Sequence, residues 1–194
     1  MKKYILGLIL AVCFFASQAQ VSFGVKGGLN FSNVAYSGTY SSVFSDTDNL
    51  LGLHFGLYGK LKLKNNFSLI TEIQFSQKGY KGLTGNTKEK ININYIEIPI
   101  LCSYSINRLG VDLGLSPAFL ASSSTPIIGS FKSFDANIIG GIRFHLTENI
   151  FMTTRYYYGL TSISDIVIRD INVNVSTVTT FNRLFQFSIG YKIK

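Results

Sequence analysis

The chain has 194 residues, of which 46% are hydrophobic, 14% aromatic and only 14% charged, with 18 Gly, 3 Pro, no Trp and a formal charge of +8. Such a composition excludes a disordered chain, which needs low hydrophobicity and high charge. The Lys and Arg residues are scattered singly rather than gathered in the patch a nucleic-acid binder needs. Beyond residue 20 no apolar run approaches the roughly 18 residues of a membrane-spanning helix, so a helical membrane protein is excluded as well.

Residues 1–19 read as an export signal. Lys2 and Lys3 form a basic start, Tyr4 to Ala16 an apolar core of 13 residues, and Ser17-Gln18-Ala19 supplies small residues at −3 and −1, which places the cut between Ala19 and Gln20. Leu10-Ala11-Val12-Cys13 is a loose lipobox, but Val12 is too large for the residue before a lipidated Cys. Once the signal is removed only Cys102 remains. One cysteine forms no internal disulfide and nothing has metal-ligand spacing, so no metal and no cofactor are expected. The expected organisation is a signal peptide, 1–19, and one domain, 20–194.

The domain alternates with period two, the signature of strands with two different faces. In the first segment Val21, Phe23, Val25, Leu29 and Phe31 oppose Ser22, Gly24, Lys26, Gly28 and Asn30. In the second, Leu51, Leu53, Phe55, Leu57, Leu61 and Leu63 oppose Gly52, His54, Gly56, Tyr58, Lys60 and Lys62. Phe67 to Lys78 sets Phe67, Leu69, Ile73 and Phe75 against Ser68, Glu72, Gln74 and Ser76. Ile91 to Tyr104 changes phase: Ile91 and Ile93 precede Ile96, Ile98, Ile100 and Cys102. That change predicts a β-bulge near Asn94-Tyr95, and Pro99 removes one ladder bond. Leu109 to Leu120, Phe134 to His145, Ile150 to Leu160 and Phe185 to Ile193 complete eight strands.

The connections sort the architectures. Lys64–Asn66, Ser105–Arg108 and Leu146–Asn149 are short, whereas Val34–Leu50, Gly79–Lys90, Ala121–Ser133 and Thr161–Thr177 are long, and the two kinds alternate. Outer-membrane barrels have short periplasmic turns and long extracellular loops. A soluble sandwich or lipocalin-like barrel has no reason to alternate them. One face is uniformly large and apolar, and in water it would form a patch far above the few hundred Å² of a soluble monomer. The expectation is an all-β, eight-stranded antiparallel transmembrane β-barrel, an up-and-down meander in the outer membrane of a Gram-negative bacterium, with both termini in the periplasm.

Three stretches carry a family resemblance. Gly24-Val25-Lys26-Gly27-Gly28-Leu29-Asn30-Phe31-Ser32 is similar to an opening G-x-K-x-G-x-N-x-S; Asn94-Tyr95-Ile96-Glu97-Ile98-Pro99-Ile100-Leu101 is similar to Y-x-E-I-P-x-L; Arg155-Tyr156-Tyr157-Tyr158-Gly159-Leu160 is similar to R-Y-x-x-G-L. On these residues the chain resembles the PorT-like outer-membrane β-barrel proteins of Bacteroidota. It departs at its end, where Ile193-Lys194 replaces the aromatic on which many such barrels finish. The resemblance implies fold and location more than activity, and one relative is needed for type IX secretion.

The polar face carries Lys26, Glu72, Glu97, Asp112, Arg143 and Arg155. Both signs are present, so these are expected to pair as a structural charge network inside the barrel, whose eight-stranded lumen is just filled by side chains. His54, with Ser68, Ser76 and Glu72 on the neighbouring strand, is the alternative: a Ser-His-acid site for lipid hydrolysis, which needs hydrogen-bond reach between nucleophile and base. Tyr156, Tyr157 and Tyr158, with Phe67, Phe144 and Phe151, are candidates for an aromatic girdle, with Tyr157 pointing inward. In the first long loop Tyr36, Tyr40 and Phe44 are candidate contacts for a partner. The expected role is non-enzymatic: a barrel that is structural or docks a protein partner through its extracellular loops or periplasmic face, bound by outer-membrane lipid and not by nucleic acid. The alternatives are an accessory part of a protein-secretion system and a lipid-modifying enzyme.

Overall fold

Backbone pairing follows the alternation segment by segment. The computed structural model describes residues 21–39, 46–84, 87–124, 131–169 and 175–194, so the segment read as an export signal lies outside the described residues. Ten strands form: β1 (Val21–Ser37), β2 (Thr47–Lys62), β3 (Phe67–Thr84), β4 (Thr87–Glu97), β5 (Ile100–Ile106), β6 (Leu109–Ser123), β7 (Phe134–His145), β8 (Ile150–Gly159), β9 (Ser164–Arg169) and β10 (Val175–Lys192). All pair antiparallel, and β10 returns to β1 with Gly24 to Ser37 against Lys192 to Thr179. That last pairing closes the sheet into a ring, with β9 paired to β10 alone among the described strands.

The eight expected strands become ten because one of them breaks and a further strand, β9, forms within the expected long connection Thr161–Thr177. Pro99 has no N–H to donate, so Ile91–Tyr104 divides into β4 and β5 around Ile98-Pro99. Both halves still lie between β3 and β6. Across the gap Glu72 N donates to Pro99 O and Ile98 N to Pro117 O, each at 2.9 Å. β9 pairs β10 on the stretch next to the one that β8 pairs, so the two share one place in the ring. The ring therefore has eight places around its circumference.

The expected bulge is a register shift at Asn94/Tyr95, but its extra residue is on β6: Asn94 pairs Ser122, Tyr95 pairs Leu120, and Ala121 is skipped. β4 and β5 keep one phase throughout, with Ile93, Tyr95 and Glu97 on β4 and Leu101 and Ser103 on β5 all buried. The apparent phase change in the sequence is an inward-facing apolar pair, Ile93 and Tyr95, and not a change of direction.

The long connections are largely strand. Gly79 to Thr84 pairs with Asn92 to Thr87, and β9 pairs with Val175 to Thr180. In these arms the outward side chains no longer need to be apolar, so the period-two signal fades while the ladder continues. At the opposite end of the ring the connections are tight. Asn65 and Asn66 take φ of 52° and 67° and Asn107 takes 53°, a left-handed geometry that Asn tolerates better than most residues with a Cβ. The short turns and both described chain ends thus share one end of the ring, and the arms the other.

The two faces separate as their chemistry dictates. Leu51, Leu53, Phe55 and Leu57 on β2 and Leu109, Val111, Leu113 and Leu115 on β6 point outward, with Phe55 63% and Leu113 62% exposed. Inside lie Lys26, Asn30, His54, Glu72, Gln74, Lys78, Glu97, Asp112, Asp135, Arg143, Arg155 and Gln186, all buried. The interior is not purely polar. Ile70, Leu101, Ile139, Tyr157 and Leu184 form one buried apolar cluster, and Val34, Ile93, Tyr95, Ala118 and Ile163 another, toward the arms. Phe151 points inward rather than joining a girdle, and it is buried against Tyr58 with ring centroids 5.2 Å apart.

Candidate functional site

Glycine decides which interior side chains meet. Along the ring, inward residues of successive strands stand side by side, and a long side chain can lean across a neighbour that lacks a Cβ. Gly141 pairs with Asp112 on one side and Arg155 on the other. Arg155 crosses it, its Cγ 2.5 Å from where a Gly141 Cβ would sit, and its Nη2 reaches Asp112 Oδ2 at 2.9 Å. Gly28 stands between His54 and Ser188 in the same way; His54 Nε2 and Ser188 Oγ are 2.8 Å apart.

The candidate charges fall into two groups. In the first, Lys26 Nζ lies 2.5 Å from Glu72, Arg155 Nη1 lies 2.9 Å from Glu72 and its Nη2 2.9 Å from Asp112, and Arg143 Nη2 donates to Asp112 Oδ2 at 2.9 Å. Three cations hold two carboxylates. The second group contains Glu97 together with two residues outside the expected set, Lys78 and Asp135. Lys78 Nζ is 2.5 Å from Glu97 and 3.9 Å from Asp135, so one cation serves two carboxylates. Lys78 Nζ also lies 5.2 Å from the centroid of Tyr95 and 5.6 Å from that of Tyr157. Asp135 further accepts from Asn137 at 3.0 Å and Asn182 at 2.7 Å.

Neutral polar side chains join the groups. Gln74 donates to Glu97 at 2.5 Å and to Tyr157 at 3.2 Å. Gln186 accepts from Lys26 at 3.3 Å and from Tyr157 at 3.1 Å, and donates to Asn30 at 3.1 Å. Among the described residues four buried cations and four buried carboxylates balance, which fits the heavy cost of burying a charge without a partner. Lys78, Asp135 and Gln186 lie in the polar phase of their segments; the alternation alone points to them.

His54 does not assemble the triad considered from sequence. Its hydroxyl partner is Ser188 on β10 and neither Ser68 nor Ser76, because Gly28 leaves the way across β1 open. His54 and Ser188 are both buried inside the ring, and Nδ1 of His54 has no hydrogen-bond partner among the described residues. Tyr36 packs edge to face on Tyr80 at 6.5 Å near the arms; Tyr40 and Phe44 lie outside the described residues. On the arms Lys88 binds Asp48 at 2.9 Å and Asp46 at 3.4 Å, and these carboxylates hold its ammonium pKa above the ordinary lysine value. Lys132 binds Asp165 at 2.7 Å.

At the turn end the interior finishes in a cavity of about 410 Å³ lined by Lys60, Lys62, Arg143, His145, Glu148 and Lys192, with Tyr58 and Phe151 also in its wall. The Arg143 guanidinium lies 4.7 Å from the Phe151 ring centroid.

A closed antiparallel ring with a greasy outside and a charge-paired inside defines the class of outer-membrane β-barrel proteins. The chain belongs to the family of the outer membrane protein beta-barrel domain, whose model matches residues 15–165. Among solved structures it is similar to the outer membrane protein OprG of Pseudomonas aeruginosa, with a TM-score of 0.52 and 14% identity over 90% of this chain and 97% of that one. It also matches the attachment invasion locus protein Ail of Yersinia pestis (TM-score 0.48, 13% identity, 90% and 99% covered) and a major outer membrane protein of Thermus thermophilus (0.48, 15%, 89% and 99%). The likeness to OprG is one of fold. A comparison with curated protein sequences finds no match.

Proposed function

We propose that this is an eight-stranded transmembrane barrel of the outer membrane, exported by residues 1–19, with its termini and short turns in the periplasm and its strand arms outside. Its role on this reading is non-enzymatic: it anchors arms that dock a protein partner. The outward apolar residues from Leu109 to Phe119 cover about 25 Å along the ring axis, taking a rise of about 3.3 Å per residue and a tilt of about 40°. That matches the apolar band of known outer-membrane barrels.

The observation that carries the reading is the filled interior. Its charges pair with one another, the Tyr58–Phe151 pair packs inside it near the turn end, and the Val34–Ile93–Tyr95–Ala118–Ile163 cluster fills the side toward the arms. Such a barrel offers no continuous water path, which leaves its ends and surfaces to act. In planar bilayers the protein is expected to show no steady conductance, and ohmic channels would refute the filled interior. A variant with Gly38–Asp46 shortened to a tight turn is expected to insert normally and lose proteins that co-extract with the wild type in mild detergent. An unchanged set of co-extracted proteins would refute docking through this arm.

The PorT-like resemblance favours a second reading, an accessory of protein secretion. Among the residues that carry it, Lys26, Asn30, Glu97 and Arg155 are interior. Their roles in the polar network account for those four motif positions as a way of filling a small barrel. Co-extraction of secretion components with the wild-type protein separates this reading from the first.

A further inference from the structure

The charges are not spread evenly over the molecule. Inside the ring they cancel. At the turn end the basic residues Lys60, Lys62, Lys64, Arg108, Lys192 and Lys194 face a single acidic residue among the described ones, Glu148. The fold gathers lysines and arginines that the sequence scatters singly, and three of these basic residues line one cavity together with Arg143 and His145.

Arg143 gives that cavity a built floor. It is 1% exposed, its Nη2 holds Asp112 at 2.9 Å, and its Nε has no hydrogen-bond partner among the described residues. Lys26, Arg155 and Arg143 already outnumber Glu72 and Asp112 in the adjoining group, so that group does not neutralise Arg143 and Lys60 beside it. Concave sites with low-dielectric walls and one sign of charge concentrate counter-ions.

We infer that the turn-end cavity is a binding site for a small phosphorylated anion, its phosphate held by Lys60, Lys192 and Arg143 and its organic remainder against Tyr58 and Phe151. The chemistry follows from the donors. A guanidinium and ammonium groups form charge-assisted bonds to phosphate oxygens, and a doubly charged group fits a cavity with several cations and one carboxylate. A volume of about 410 Å³ accommodates a phosphoglycerol-sized molecule. Two sources present that chemistry: a soluble phosphate ester, or the headgroup of an anionic lipid in the leaflet bordering this rim. The inference goes beyond the proposed docking role and does not depend on it.

The test uses the full barrel in nanodiscs. Glycerol 3-phosphate is titrated by calorimetry into protein in phosphatidylcholine discs, and headgroup association is read by phosphorus NMR in discs containing phosphatidylglycerol. The wild type is expected to bind in at least one arm, more weakly as salt rises, and Lys60→Gln/Lys192→Gln is expected to bind at least tenfold more weakly. Binding of glycerol 3-phosphate assigns a soluble ligand; association with phosphatidylglycerol alone assigns the lipid. Should the double variant fail to fold, Lys62→Glu, a change at the exposed rim, takes its place with the same expected loss. No binding in either arm, or binding equal in wild type and variant, overturns the inference.

Discussion

Replacing Lys78 with Met is expected to lower the unfolding free energy of the barrel in lipid by about 3–5 kcal/mol, the cost of leaving a buried charge without its partner. Lys78 is fully buried and is the one cation within 4 Å of Glu97 and Asp135 among the described residues. Without it two carboxylates face each other across Gln74 and the asparagines with nothing positive beside them. Arg155→Met is expected to cost less, although Arg155 makes more bonds, because Glu72 keeps Lys26 and Asp112 keeps Arg143. Adding Glu97→Gln to Lys78→Met should recover more than half of the loss, since it removes the nearer of the two charges left alone and Asp135 keeps its bonds from Asn137 and Asn182. Urea unfolding of the three variants in vesicles measures these differences. A Lys78→Met loss smaller than that of Arg155→Met contradicts the two-group description of the interior.

The second large effect concerns the outer wall. Leu113 lies near the middle of the outward apolar residues of β6 and is 62% exposed. On the transmembrane reading Leu113→Arg places a charge near the bilayer midplane and costs about 2–4 kcal/mol, whereas the same change at Leu63, beside the β2–β3 turn, costs about 0–1 kcal/mol. In water neither would exceed about 0.5 kcal/mol, the usual range for exposed positions. Refolding yields and unfolding curves in vesicles compare the two, and equal effects at Leu63 and Leu113 would refute a depth-dependent environment.

The period-two alternation made the wall legible: Leu51 to Leu63, Leu109 to Leu115 and Phe185 to Ile189 all face outward as their phase requires. It also made the charge set legible, since each of Lys26, Glu72, Glu97, Asp112, Arg143 and Arg155 lies inside. Partner choice was not legible. His54 meets Ser188 and Arg155 meets Asp112 because Gly28 and Gly141 let side chains cross a strand, and that depends on a register no single segment reveals. Nor was the apolar part of the interior. Ile70, Leu101, Ile139 and Leu184 stand in the polar phase and pack with Tyr157, and a small lumen needs such fillers wherever charges are absent. The arms escaped notice for the opposite reason: Gly79 to Lys90 is a paired hairpin whose surroundings ask for no alternation. The basic turn end is a property of the ring, assembled from lysines on strands far apart in the chain.

One residue reports most directly on where the greasy face looks. Cys102 is exposed on the outer wall between Ile100 and Tyr104, and it is the sole cysteine of residues 20–194. A spin label attached there, in the protein reconstituted into bilayers, should collide readily with dissolved oxygen and hardly at all with a water-soluble nickel complex. Strong nickel contact with weak oxygen contact would put that wall in water, and the membrane-spanning account would be wrong.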